Sequence, residues 1–221
     1  MTYHQLDLAA FPRREHYEHF LTMENPFVNM TLELDITDWE AKRKLRSMPF
    51  FLSFLYCMGE AANAVPQFRQ RLRDGGIVEY DHCDCSYTVA VADGTYRYCD
   101  VDTSLPFDEF LPIARSAQKR AEEDAHLTEG ADPEGCIYVS STPWLSFAAL
   151  EVPHPDRFFS VPSVTIGKYR KEYRLMENEM GEVVPSLRTL LPLSLQVHHA
   201  LVDGSHLGAF FTELEKRLSE F

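Results

Sequence analysis

The chain has 221 residues, 45% of them hydrophobic and 12% aromatic, with 34 acidic against 21 basic side chains and a net charge of −13. That size and apolar content support a packed core rather than disorder. The acidic balance opposes nucleic acid or an anionic membrane as partner, and leaves room for a local basic site holding one anionic molecule. The stretch Met1 to Gln5 has no basic and then apolar leader. The longest apolar run, roughly residues 48–58, is broken by Pro49, Ser53 and Tyr56 and falls far short of the ~20 residues of a membrane span. The expectation is a cytoplasmic protein. Without repeats, low-complexity stretches or Gly/Ser-rich linkers, the chain reads as one domain over residues 1–221.

Residues 13–20 read as a short helix after Pro12, which suits a first turn. Residues 27–36 alternate apolar and polar, the pattern of a half-buried strand. Asp38 is placed to cap a helix reaching about Leu45. Residues 50–63 are mostly apolar with no turn signal before Asn63, so they predict a buried helix. Arg73-Asp74-Gly75-Gly76 predicts a turn between strands, because Asp-Gly and Gly-Gly reach positive φ cheaply. Strands near 77–81 and 87–92 follow. Ser104 precedes a predicted helix that has Pro106 in its first turn and runs to about Ala125, with Phe107, Phe110, Leu111 and Ala114 on the core face. Residues 136–152 and 158–173 are β-like, and 182–199 read as a strand pair feeding a turn. The last segment, from Gly204, is amphipathic, with Leu207, Phe210, Phe211, Leu214 and Leu218 on one face. Strands and helices mix without strict βαβ alternation, which points to an α/β two-layer sandwich: a mixed β-sheet packed with helices.

Cysteines stand at positions 57, 83, 85, 99 and 136. Their odd number and irregular spacing argue against a disulfide framework. His82-Cys83-Asp84-Cys85 could offer two thiolate ligands to a metal, but no second pair with matching spacing follows, and the four read as ordinary strand residues with no metal.

The chemistry concentrates near the end. Gln196-Val197-His198-His199-Ala200-Leu201-Val202-Asp203-Gly204 runs from an apolar strand into two histidines, then an Asp-Gly turn, then a helix. Two histidines at a strand end are by themselves ordinary polar residues. In this context the strand delivers an imidazole to its own end, and imidazole is the natural proton acceptor near neutral pH.

The string resembles the signature of the CoA-dependent acyltransferases, the chloramphenicol acetyltransferase family together with the catalytic cores of dihydrolipoyl acyltransferases. Further blocks carry the likeness in family order: Phe11-Pro-Arg13-Arg14-Glu15-His16, Asn63-Ala-Val-Pro66-Gln-Phe68-Arg69, Ser140-Ser-Thr-Pro143-Trp144, Thr165-Ile-Gly-Lys168-Tyr169 and Pro192-Leu-Ser-Leu-Gln-Val-His-His-Ala. They span nearly the whole chain.

The resemblance implies roles for individual residues. His199 is the general base that takes a proton from an acceptor hydroxyl as it attacks the thioester of acetyl-CoA, with no acyl-enzyme and no permanently bound cofactor. Ser140 donates to the tetrahedral oxyanion and Thr165 assists through an ordered water. Asp203 pairs with Arg13 and holds the active-site turn rather than completing a triad. Lys168 and Tyr169 belong to the CoA site, and His198 packs or hydrogen-bonds beside it. Arg170, Lys171 and Arg174 either reach a phosphate or form a solvated face. The implied assembly is a homotrimer with active sites at subunit interfaces, and the implied reaction is O-acetylation of a small-molecule hydroxyl, chloramphenicol first, which inactivates the antibiotic.

The acceptor pocket departs from the family pattern. Its positions fall on Phe20, Glu24, Pro26 and Val28, on Tyr96 or Tyr98, and on Leu150 and Val152. Only Phe20 keeps the family residue on the first wall. A carboxylate at 24 and a small Val28 reshape a pocket for an aryl diol and suit a more polar acceptor. The segment 170–191 is longer than usual and reads as an extended hairpin. Competing readings fit less well. A dihydrolipoyl acyltransferase core carries Asp-His-Arg before its Asp-Gly. A serine hydrolase needs a Gly-x-Ser-x-Gly elbow, which is missing. A non-catalytic binding module would leave His199 without a chemical task. Adjacent strand residues such as His198 and His199 point to opposite faces and cannot share a metal.

Overall fold

A computed structural model describes residues 2–178 and 180–221. The strands are β1 (Tyr3–Gln5), β2 (Phe27–Asp35), β3 (Gln70–Arg73), β4 (Gly76–Tyr80), β5 (Asp84–Ala90), β6 (Tyr96–Val101), β7 (Cys136–Thr142), β8 (Ser163–Gly167), β9 (Arg170–Glu177) and β10 (Val183–His198). The helices are α1 (Arg14–Phe20), α2 (Thr37–Leu45), α3 (Phe50–Asn63), α4 (Phe107–Glu123) and α5 (Gly204–Glu220). The main sheet runs β2-β10-β8-β7-β5-β6, with β9 paired to the first half of β10, and a small sheet runs β1-β4-β3. The β5-β7 and β7-β8 pairs are parallel and the others antiparallel. This is the expected mixed-sheet α/β sandwich. Among the described residues no helix is long and apolar enough to cross a membrane.

The core forms where apolar helix faces meet alternate residues of the sheet. Phe54, Leu55 and Met58 of α3 and Leu207, Phe210 and Leu214 of α5 are buried against Leu191, Leu193, Leu195 and Val197 of β10. The rings of Phe68 and Phe210 stack at 5.0 Å. Gly59 lies where α3 crosses β5: a Cβ there would come within 2.7 Å of the Cys85 sulfur.

Local signals predicted most elements, and long-range pairing changed the rest. The 73–76 turn forms as expected, with Asp74 and Gly75 at positive φ. Helix α2 starts two residues earlier than a cap at Asp38 requires: Ile36 takes the cap position, and Asp38 lies in the first turn, where its charge suits the helix dipole. The β-like stretch 136–152 ends as a strand at Thr142, because Pro143 cannot donate to a ladder. Residues 182–199 form one strand of sixteen residues rather than a pair. Residues 170–190 do form an extended hairpin, β9 against the first half of β10.

The stretch 158–173 holds β8 and β9 in line along the same partner. Ile166 faces Leu193 and Arg170 faces Leu190, so Gly167, Lys168 and Tyr169 oppose only Leu191 and Pro192. That extra residue makes a β-bulge. Bulges bend a strand and re-aim its side chains, and proline is tolerated opposite one because no ladder donor is needed. Gly167 is required there: a Cβ would meet Pro192 Cγ at 2.7 Å and Phe147 Cε1 at 2.8 Å.

Candidate active site

The turn after β10 is held from both ends of the chain. The His199 amide donates to the Pro26 carbonyl at 2.8 Å. Arg13, just before α1, donates through Nη1 to the Leu201 carbonyl at 2.5 Å and through Nη2 to the His199 carbonyl at 3.4 Å. The same guanidinium lies 3.2 Å from Asp203 Oδ2. Asp203 also caps α5, its Oδ1 accepting from the Ser205 amide at 2.9 Å and the Ser205 hydroxyl at 2.6 Å. In return the Asp203 amide donates to His206 Nδ1 at 3.1 Å, completing a capping box. That nitrogen also lies 3.1 Å from Asp203 Oδ1; burial lowers the pKa of His206, and the carboxylate beside it opposes that shift. Burial alone would raise the Asp203 carboxyl. The Ser205 hydroxyl, then the charges of His206 and Arg13, outweigh it and bring the pKa to about 2.

Within this frame the His199 ring stacks on Phe20, centroids 3.9 Å apart and planes 22° from parallel. Its Nδ1 is 3.0 Å from the Val202 carbonyl. A carbonyl oxygen only accepts, so Nδ1 must carry the hydrogen. In the neutral ring Nε2 then holds the lone pair, the arrangement a general base needs. His198 has the opposite tautomer. Its Nε2 donates to the Arg157 carbonyl at 2.9 Å, and its Nδ1 accepts from the Ala200 amide at 3.2 Å. It is 1% exposed, and burial pushes its pKa down to about 4.

Ser140 on β7 and Thr165 on β8 are register partners, and Thr165 in turn faces Ser194 on β10. They lie in a groove of about 250 Å³ that also contains Tyr96, Tyr98 and Val152. His199 is five residues further along β10 than Ser194, roughly 17 Å along the strand at ~3.3 Å per residue. The chain therefore collects the predicted residues into two groups. Phe20 and Pro26 lie with His199, and Tyr96, Val152, Ser140 and Thr165 lie together elsewhere. Glu24 is exposed between α1 and β2, Val28 pairs with Val197, and Leu150 lies over Ser194.

At the bulge, Lys168 is exposed while Tyr169 turns inward against Phe50, ring centroids 5.5 Å apart. Arg170 and Arg174 both pair with Glu33 and Glu172, which favours the solvated-face reading of these two over a phosphate contact. The thiols of Cys83 and Cys85 are buried, and burial raises the pKa of both. Beside them His82 Nε2 lies 3.3 Å from Asp102 and 3.9 Å from Asp84.

One set of positions was missed from sequence. Residues 143–162 cross the polar face of β10 as a strap. The Ser194 hydroxyl donates to the Leu150 carbonyl at 2.8 Å, Gln196 Oε1 accepts from the Val152 amide at 3.2 Å, and His198 holds the Arg157 carbonyl. Arg157 in turn donates to the Leu21 carbonyl at 2.5 Å. Ser194, Gln196 and His198 alternate with Leu193, Leu195 and Val197, and that period-two polar row was the available signal.

A family model described as chloramphenicol acetyltransferase matches residues 1–215. The chain belongs to the chloramphenicol acetyltransferase family. It is 31% identical to a chloramphenicol acetyltransferase of Escherichia coli over 228 aligned positions, covering 99% of this chain and 95% of the relative. It is 28% identical to chloramphenicol acetyltransferase 3 of the same species, over 98% of this chain and 97% of the relative. A solved chloramphenicol acetyltransferase superposes with a TM-score of 0.83 at 25% identity, over 98% of this chain and all of the other. The dihydrolipoamide acetyltransferase of Azotobacter vinelandii shares the fold at TM-score 0.67 and 18% identity, over 93% of this chain and 86% of the other. Family membership makes the chain an acyltransferase.

Proposed function

We propose that the protein transfers the acetyl group of acetyl-CoA to a hydroxyl of a small-molecule acceptor, with His199 as base, in a ternary complex. The observation that carries this reading is the hydrogen bond from His199 Nδ1 to the Val202 carbonyl, which makes Nε2 the lone-pair nitrogen of the neutral ring, while the ring itself stacks on Phe20. Nε2 takes the proton of the acceptor hydroxyl as its oxygen bonds to the thioester carbon. The carbonyl oxygen becomes an oxyanion that accepts from the Ser140 hydroxyl, with Thr165 supporting from the next strand. Collapse breaks the carbon–sulfur bond, and Nε2 returns its proton to the departing thiolate. Lys168 supplies a cation for a CoA phosphate beside Tyr169.

The ~17 Å offset along β10 between His199 and the Ser140–Thr165 row supports an active site completed by a second copy of the chain, as a homotrimer with interface sites provides. Chloramphenicol is the acceptor to test first, since relatives over nearly the full length carry it in their names. A second reading, the same chemistry on another hydroxylated acceptor, is favoured by Glu24, Val28, Leu150 and Val152 at pocket positions.

The test is thiol release from acetyl-CoA with chloramphenicol, wild type beside His199→Ala. Acceptor-dependent release is expected from the wild type, with kcat about 10²–10⁴-fold lower in the variant. Equal rates would remove His199 from the chemistry.

A further inference from the structure

The groove around Ser140 and Thr165 offers more hydrogen-bonding groups than acyl transfer uses. Tyr98 and Thr88 are register partners on β6 and β5, and Ser140 and Thr165 continue their row across β7 and β8. Two residues back along the strands, Ser86, Tyr138 and Ser163 make a second row on the same face. Between the rows Val139 and Val164 turn into the core. With strands ~4.8 Å apart and rows roughly 6.6 Å apart, these side chains form a grid of hydroxyls.

Among the described residues, the hydroxyls of Ser86, Thr88, Tyr138, Ser140, Ser163 and Thr165 have no partner within the chain, and none is a sealed orphan, so they open on the groove. The phenols are hydrogen-bond donors at any ordinary pH: burial raises Tyr138 to about 12, and burial followed by Tyr96 raises Tyr98. The rings of Tyr96 and Tyr98, 5.7 Å apart at 62°, form an aromatic wall. Aromatic faces beside a hydroxyl grid suit a ligand with a C–H face and several hydroxyls. A nitrophenyl group would strip water from the grid and return only the weak acceptors of its nitro oxygens.

We propose that the preferred acceptor is a polyhydroxylated ring, of sugar or cyclitol type, with its C–H face on Tyr96 and Tyr98. Its spare hydroxyls pair with Thr88, Ser86 and Tyr138 while one hydroxyl lies at Ser140 for acetylation. The inference rests on the acetyltransfer reading and names its substrate class. Sites built to pair ligand hydroxyls reject analogues lacking them by up to about 10⁴-fold.

The experiment measures kcat/KM by thiol release for methyl β-D-glucopyranoside, myo-inositol and chloramphenicol, in wild type, Thr88→Val and Tyr98→Phe, with His199→Ala as control. At least one polyol is expected to exceed chloramphenicol by about tenfold or more, and each variant to lower that ratio by about tenfold or more. The inference is overturned if chloramphenicol matches or exceeds both polyols, or if the variants change the ratio by less. It is also overturned if the variants dissociate on size-exclusion chromatography, which would assign these hydroxyls to a subunit interface. No release with any acceptor, wild type and His199→Ala alike, would instead sink the acetyltransfer reading itself.

Discussion

Arg13 and Asp203 are 190 positions apart in sequence and 3.2 Å apart in space, and the guanidinium that pairs with the carboxylate also holds the carbonyls of His199 and Leu201. The pair thus splints the turn that presents His199. Asparagine caps a helix as well as aspartate does, so Asp203→Asn keeps the cap and removes only the charge. It is expected to lower kcat together with the melting temperature, at a cost of about 1–3 kcal/mol for this partly exposed pair. Asp203→Ala also loses the cap and costs about 1 kcal/mol more. Urea unfolding beside steady-state kinetics checks this. An Asp203→Asn protein with wild-type stability and no activity would exclude a structural role.

The stack of Phe20 on His199 orients the imidazole from its face, while Val202 orients it from its edge. Phe20→Leu keeps the apolar volume and removes the ring. Face contacts of this kind contribute about 0.5–1.5 kcal/mol, so kcat should fall about 2- to 10-fold. Rate measurement at saturating acceptor reads this, and an unchanged kcat would mean that Val202 alone positions the ring.

His198 gives stability a pH dependence with a defined sign. Its folded pKa of about 4 lies below the reference 6.5, so the unfolded chain binds the proton more tightly. Its contribution is complete above pH 6.5, declines as pH falls from 6.5 to 4, and levels off below, a loss on the order of 3 kcal/mol. Denaturant unfolding across that window, compared with His198→Gln, isolates the effect. Equal slopes for the two proteins would show that the ring titrates alike folded and unfolded.

Co-expression tests whether the site is shared between subunits. His199→Ala and Ser140→Ala are each expected to be nearly inactive. If each site takes its base from one copy and its oxyanion donor from another, random mixing restores both groups in about a quarter of sites. Recovery of about that share of wild-type thiol release is the expected outcome. Activity no greater than the variants purified separately would place both groups in one chain.

Much of this was legible because it is local. The apolar face of α5, the buried run of α3, the turn at Asp74-Gly75 and the strand-to-turn string around His199 each follow from spacing within about a dozen residues. The strap was illegible: residues 143–162 have no period of their own, and their hydrogen bonds go to Ser194, Gln196 and His198, more than forty positions away for Leu150, Val152 and Arg157.

By itself, then, the sequence determined the type and order of most elements, the family, and the strand-to-turn string that carries His199, because side-chain periodicity and turn chemistry act over short stretches of chain. Tertiary structure decided that 183–198 is one strand, that Lys168 and Tyr169 lie on a bulge, and that His199 and Ser140 end up far apart within a chain. Strand register sets all three, and register is chosen by which distant strand pairs with which, a competition among burial and hydrogen bonding over the whole sheet.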